Sequence, residues 1–277
     1  MTPHKFHPLI FKLSTSVTLS FYILLSILLL TSTLTSKQAI AANQTLTSET
    51  SVKLKPFVAT YMITAMGLEG INVTNSLSID SDGKKQAYHF KSYSMPIGLL
   101  AFKKDETRDE QSEGLIIEDS IQPHKYSYLQ VRDNEIRRHV ELNFDWDSKE
   151  VINNHKHKSN KWSMPIPQPT VDKLSYQLSL MLQLANKAEK QFSFAIADGG
   201  KLKEYYFEIM AEERVYTSLG SYKALKIRHK RYKKEKIITL WCAPELNYLP
   251  VKIIQEEQGK PTFISTLISY QEGMSRN

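Results

Sequence analysis

The segment VDKLSYQL at residues 171–178 crowds Asp172, Lys173, Ser175 and Tyr176 together, enough reactive groups for nucleophilic or acid–base chemistry. No G-x-S-x-G elbow occurs anywhere in the chain to support a hydrolase reading. Asp172, three residues before Ser175, equally suits a helix cap, where a carboxylate accepts from the first free N–H groups. The single cysteine, Cys242, lies in an apolar strand pattern between Trp241 and Ala243, as a buried and inert thiol would.

Other constellations carry less. His155 and His157 could present two imidazoles on one face of a strand, but NNHKHKSNK reads as a polar loop without a third ligand. Asp80-x-Asp82-Gly83 opens like a calcium loop, yet Lys91 stands at the twelfth position in place of a glutamate. Asp145 and Asp147 share one side of a strand pattern and are the best paired carboxylates for a hydrolase or glycan-modifying enzyme. The expectation is therefore no metal, no cofactor and, on balance, no catalysis.

The densest charge is KIRHKRYKKEK, residues 226–236, between two strand patterns. It reads as a solvated hairpin tip, or as a surface in which Lys226, Arg228, Lys230, Arg231, Lys233 and Lys234 dock on anionic membrane phosphates. A turn is a poor nucleic-acid reader, and the charge balance argues the same way. Residues 1–41 carry three lysines and no acid, so their loss lowers the formal charge from +7 to +4.

Those 41 residues resemble a cleavable export signal. Lys5 and Lys12 precede an apolar run from Val17 to Leu30, and small residues follow to Ala39-Ile40-Ala41. The run is shorter than the roughly 20 residues a spanning helix needs. The expected product is an exported, periplasmic, soluble protein. Residues 42–54 read as a flexible lead-in, and 55–272 as a single β-rich domain.

The elements that must position any site are mostly strands. Phe57, Ala59, Tyr61, Ile63 and Ala65 alternate, and Ile71, Val73, Leu77 and Ile79 return after a turn at Gly67–Gly70. Ile136, Val140, Leu142, Phe144 and Trp146 share a face, and Asp198-Gly-Gly200 turns between two further strands. About ten or more strands with no βαβ rhythm predict a mainly β fold, either a curved antiparallel sheet or a half-open or closed barrel. One principal helix is expected over about 171–186, with Leu174, Leu178, Met181, Leu182 and Ala185 in one stripe. It either completes the core or lids an apolar pocket, whose second wall would be Met95, Ile97, Leu99 and Leu100.

With these segments in view the chain resembles domain-of-unknown-function family 3108, found in exported bacterial proteins. The carrying residues are IQPHKYSY (121–128), FDWD (144–147), VDKLSYQL, ADGGKLKEYYFEI (197–209), Thr217-x-x-Gly220 and WCAPELNYLPVKI (241–253). That resemblance implies one mostly β envelope domain and no established activity. The ending from Trp241 is more loosely similar to periplasmic lipoprotein carriers, half-open barrels whose helices cover an apolar cavity. The favoured expectation is a non-catalytic binder of a hydrophobic or amphipathic ligand, lipid or lipoprotein, or of an envelope protein partner. The alternatives are the Asp145/Asp147 or histidine enzyme and an interaction module without a pocket.

Overall fold

The computed structural model describes residues 53–82, 85–98, 101, 105–186, 189–231 and 236–273. The expected export signal, its cleavage point and most of the lead-in lie outside them, as do Leu99, Leu100, Lys233 and Lys234.

Alternation sets the first half of the sheet. Its strands are β1 (Phe57–Ala65), β2 (Leu68–Asp82), β3 (Lys85–Pro96), β4 (Glu106–Ile117) and β5 (Ser120–Arg132). β6 (Glu135–Asp145), β7 (Glu150–His155) and β8 (Asn160–Pro165) follow as a meander. A short strand, β9 (Thr170–Asp172), then leads into the helix α1 (Tyr176–Asn186). The return consists of β10 (Gln191–Asp198), β11 (Lys201–Thr217), β12 (Gly220–Arg231), β13 (Lys236–Ala243), β14 (Leu249–Glu257) and β15 (Phe263–Glu272).

These fifteen strands form one curved, unclosed sheet in the order β8-β7-β6-β5-β4-β3-β2-β1-β15-β14-β13-β12-β11-β10-β9. All pairings are antiparallel except β9 with β10. Because β1 pairs with both β2 and β15, the chain's two halves meet at the middle of the sheet and its free edges are β8 and β9. A side chain spans this gap in place of a strand ladder. Trp162 on β8 lies against Gly200 in the β10–β11 turn, where an added Cβ would stand 2.0 Å from Cζ2 of the indole.

The interior is filled at one end. Phe57, Leu77, Tyr88, Phe90, Leu142, Phe207 and Ile227 project inward from six strands and are almost wholly buried. Leu178, Leu180, Met181, Leu182 and Leu184 of α1 enter the same core with exposures of 6 % or less. Tyr176 meets Tyr205 and Phe207 ring to ring, with centroids 5.7 and 6.1 Å away. α1 is thus a plug buried nearly all round, as its wide apolar surface requires.

Several expectations need correction. The helix begins at Tyr176, because Val171 and Asp172 are held as strand by β10. The first turn is Met66–Gly67, with Gly67 at φ 77°, and β2 already starts at Leu68. NNHKHKSNK is not one loop: β7 runs through His155 and β8 starts at Asn160 around a short helical turn. Lys226 to Arg231 belong to strand β12 and not to a hairpin tip. Trp146 lies beyond β6, stacked on Phe144 at 5.7 Å between centroids.

Candidate functional site

Inward side chains of neighbouring strands lie in rows, and the rows change character along the barrel. The row Phe57–Leu77–Phe90–Ser112–Tyr126–Leu142 belongs to the packed end. Two residues along, Ala59–Asn75–Ser92–Glu110–Tyr128 is smaller and more polar. Next come Tyr61–Val73–Ser94–Arg108–Gln130 and then Ile63–Ile71–Pro96, with Glu106 opposite Arg132. Short and polar side chains outnumber aromatic ones in these rows, so the same face that is filled at one end is open at the other.

The result is a cavity of about 610 Å³ lined by Ile63, Ile71, Val73, Ser92, Ser94, Pro96, Glu106, Arg108, Glu110 and Arg132. It adjoins a second space of about 230 Å³, which shares Ile63, Val73 and Ser92 and adds Tyr61, Asn75, Gln177, Ile253 and Phe263. A third, about 200 Å³, opens beside Leu68, Gly70 and Phe263, again against Ile63. The volume of the first is that of a small-molecule site, with apolar walls and a few converging polar groups. Ile63 is common to all three.

The polar wall is organised around Glu106. Arg108 donates to Glu106 Oε1 through Nη2 at 2.6 Å and Nε at 3.2 Å. Arg132 donates to Oε2 through Nε at 2.6 Å and through Nη2, and Gln130 Nε2 reaches Oε1 at 2.9 Å. Burial opposes ionisation of Glu106, but these donors prevail and hold its pKa down to about 2. Glu110 is engaged by Lys173 at 3.2 Å and by the Tyr126 hydroxyl at 2.8 Å. Asn75, 7 % exposed, has no partner for its side-chain oxygen.

The dense VDKLSYQL segment serves the plug. Asp172 Oδ1 accepts from the backbone N–H of Leu174 and of Ser175, both at 2.8 Å. Its Oδ2 accepts from Ser112 Oγ at 2.6 Å and Ser175 Oγ at 2.7 Å. Burial raises the pKa of Asp172, and the four donors work against that rise. With every acceptor position occupied and no exposure, Asp172 anchors the turn that starts α1 to β4.

The other expected sites sit elsewhere. Leu174, Leu178, Met181 and Leu182 lie in the packed core, and the walls of the three cavities are built by other residues. Of α1, Gln177 alone reaches those walls. Met95 is 44 % exposed beside the cavity residue Pro96, and Ile97 donates its N–H to Gly70 O at 2.9 Å. Asp145 Oδ1 caps a turn by accepting from the N–H groups of Asp147 and Ser148, both at 3.1 Å. Cys242 is fully buried and its thiol is pushed up by that burial, away from nucleophilic character. Among the described residues no three of His, Cys, Asp and Glu cluster as a metal site would require.

In the basic stretch, Lys226 pairs with Glu213 at 2.9 Å and lies 5.5 Å from the centre of the Trp241 ring, whose indole N–H also reaches Glu213. Arg228 lines an outward groove of about 380 Å³ with Gln191, Ser193, Tyr206 and Glu208. Of Lys230 and Arg231 only the backbone is described.

The cavity residues were hidden because the missing signal is an absence of bulk. Ser92, Ser94 and Ser265 stand at inward positions where hydrophobic alternation would demand large residues. Glu106, Arg108 and Glu110 repeat at spacing two inside ETRDEQSEGLII, a strand whose inner face is polar at its start.

Comparison with known proteins agrees with this architecture. The chain is similar to a β-barrel-like protein of domain of unknown function DUF1849 from Brucella abortus, at 12 % identity and a TM-score of 0.54. That match covers 80 % of this chain and 99 % of the other, and it supports the fold alone. A candidate lipoprotein from Parabacteroides distasonis ATCC 8503 aligns at 11 % identity with a TM-score of 0.34, over 79 % of this chain and 96 % of the other. No curated protein matches. The family described as Protein of unknown function (DUF3108) matches residues 60–259, and the chain belongs to it.

Proposed function

We propose that this protein is an exported, non-catalytic binding protein that holds a hydrophobic or amphipathic ligand, a lipid or the acyl part of a lipoprotein, in the open end of its curved sheet. One observation carries the reading: a cavity of about 610 Å³ whose Ile63, Ile71, Val73 and Pro96 walls meet a polar end at Glu106, Arg108 and Arg132. Burying apolar ligand surface there contributes about 25 cal/mol per Å². Export rests on the signal-like residues 1–41, and no helix among the described residues is long and apolar enough to cross a membrane. Asp145 and Asp172, the carboxylates the sequence offers for catalysis, accept from backbone N–H groups in a turn and at the start of α1.

Native mass spectrometry of the protein extracted gently from the cell envelope tests this. A stoichiometric mass excess that organic extraction removes supports the reading. No adduct, together with no uptake of added lipid, refutes it.

A further inference from the structure

The polar end of the cavity has a definite electrostatic sense. Two guanidiniums share one carboxylate, Glu106, and the second carboxylate on the wall, Glu110, already faces Lys173 and the Tyr126 hydroxyl. The group as a whole therefore carries one positive charge more than it carries negative. The nearest additional acid on these walls, Glu69, is exposed at the mouth hairpin.

Donor geometry points the same way. A guanidinium offers five N–H groups in a planar fork. Arg108 and Arg132 each spend Nε and Nη2 on Glu106, and the Nη1 of each makes no hydrogen bond among the described residues. Both side chains are partly exposed, at 49 % and 40 %, so an incoming oxyanion can reach them without displacing protein. Meanwhile Glu106 has both oxygens occupied and has little capacity left for a cationic ligand.

We propose that the cavity selects an anionic amphiphile, its carboxylate or phosphate head held by Arg108 and Arg132 and its apolar chain lying along Ile63, Ile71 and Val73. This rests on the reading of the cavity as a ligand site, and adds the charge class of the ligand. Charge-assisted hydrogen bonds from two arginines favour an oxyanion over a hydroxyl head, and the apolar walls reject a free inorganic anion.

The test is displacement of the neutral fluorophore N-phenyl-1-naphthylamine from the purified protein. The competitors are palmitate, hexadecyl phosphate, hexadecanol and inorganic phosphate. Palmitate and hexadecyl phosphate are expected to compete at least tenfold better than hexadecanol, and inorganic phosphate is expected not to compete. Replacing both arginines (R108Q with R132Q) is expected to abolish that preference, with near-ultraviolet circular dichroism showing whether the variant is folded. E106Q, which removes the competing carboxylate, is expected to tighten palmitate binding severalfold. Equal competition by palmitate and hexadecanol overturns charge selection and leaves the cavity reading standing. Loss of hexadecanol binding in the double variant makes the arginines structural and also overturns it, as does displacement by inorganic phosphate alone. If the fluorophore and every alkyl compound fail to bind, the cavity reading itself falls.

Discussion

Tyr61 and Ile63 point the same way from β1, two residues apart, and the interior passes from filled to open across them. Tyr61 is 3 % exposed with its hydroxyl donating to Pro250 O at 2.9 Å, whereas Ile63 borders all three adjoining cavities. Towards Phe57 the interior is solid; towards Ala65 it is open. The α1 plug and the cavity are complementary halves of one interior.

Asp172 tests the plug. Asp172→Ala strips partners from two buried backbone N–H groups and two hydroxyls, so it is expected to cost about 3 kcal/mol of unfolding free energy. Asp172→Asn keeps an oxygen for the two N–H groups, and the serine hydroxyls can turn to accept, so it should lose clearly less. Urea denaturation of the three proteins gives the order; equal losses for both variants would contradict the anchoring role.

Gly200 tests the seam. Its φ of 74° and its contact with Trp162 leave no place for a methyl group. Gly200→Ala is expected to cost about 1–3 kcal/mol and to shift Trp162 out of its site. Thermal unfolding with near-ultraviolet circular dichroism checks both, and an unchanged midpoint would show that the edges are not joined there.

Glu106 predicts a pH dependence. A carboxyl held at about 2 in the folded chain, against 4.5 when free, adds stability that is fully present above pH 4.5 and is lost as pH falls towards 2. Because the arginine partners are partly exposed, solvent screening reduces the effect to about 1–2 kcal/mol. Urea titrations across that window should show the loss in the parent and a flatter profile in Glu106→Gln.

Asn75 predicts a gain. Its oxygen is buried with no hydrogen-bond partner among the described residues, so Asn75→Leu is expected to leave stability unchanged or raise it by about 1 kcal/mol. A drop of several kcal/mol in denaturant titration would mean that Asn75 is structural.

The outline of this fold was legible because β1, β2 and β6 alternate large apolar residues with polar ones, and α1 carries one broad apolar face. β4 was not legible. Its inner positions Glu106, Arg108, Glu110 and Ser112 are polar, since they face a cavity or bond to the interior Asp172, and hydrophobic periodicity reports only faces that meet a dry core. In the sequence β9 reads as the first turn of the helix because three residues bear no period, and only pairing with β10 makes them strand. The sequence points to its most hydrophobic segment, α1, as a pocket wall, but such a segment is what a protein buries. An open apolar cavity is signalled instead by small residues at inward positions, as at Ser92, Ser94 and Ser265.

Replacing Ile63 with tryptophan puts the central claim to the most direct test. In a solid core the extra volume would cost about 1–3 kcal/mol, whereas in an empty cavity it can be accommodated. Binding of N-phenyl-1-naphthylamine to the parent and to Ile63→Trp, with unfolding midpoints for both, distinguishes the two. The expected variant is at least as stable as the parent, with an affinity for the fluorophore that has fallen tenfold or more. Undiminished binding in a stable Ile63→Trp protein would contradict that claim.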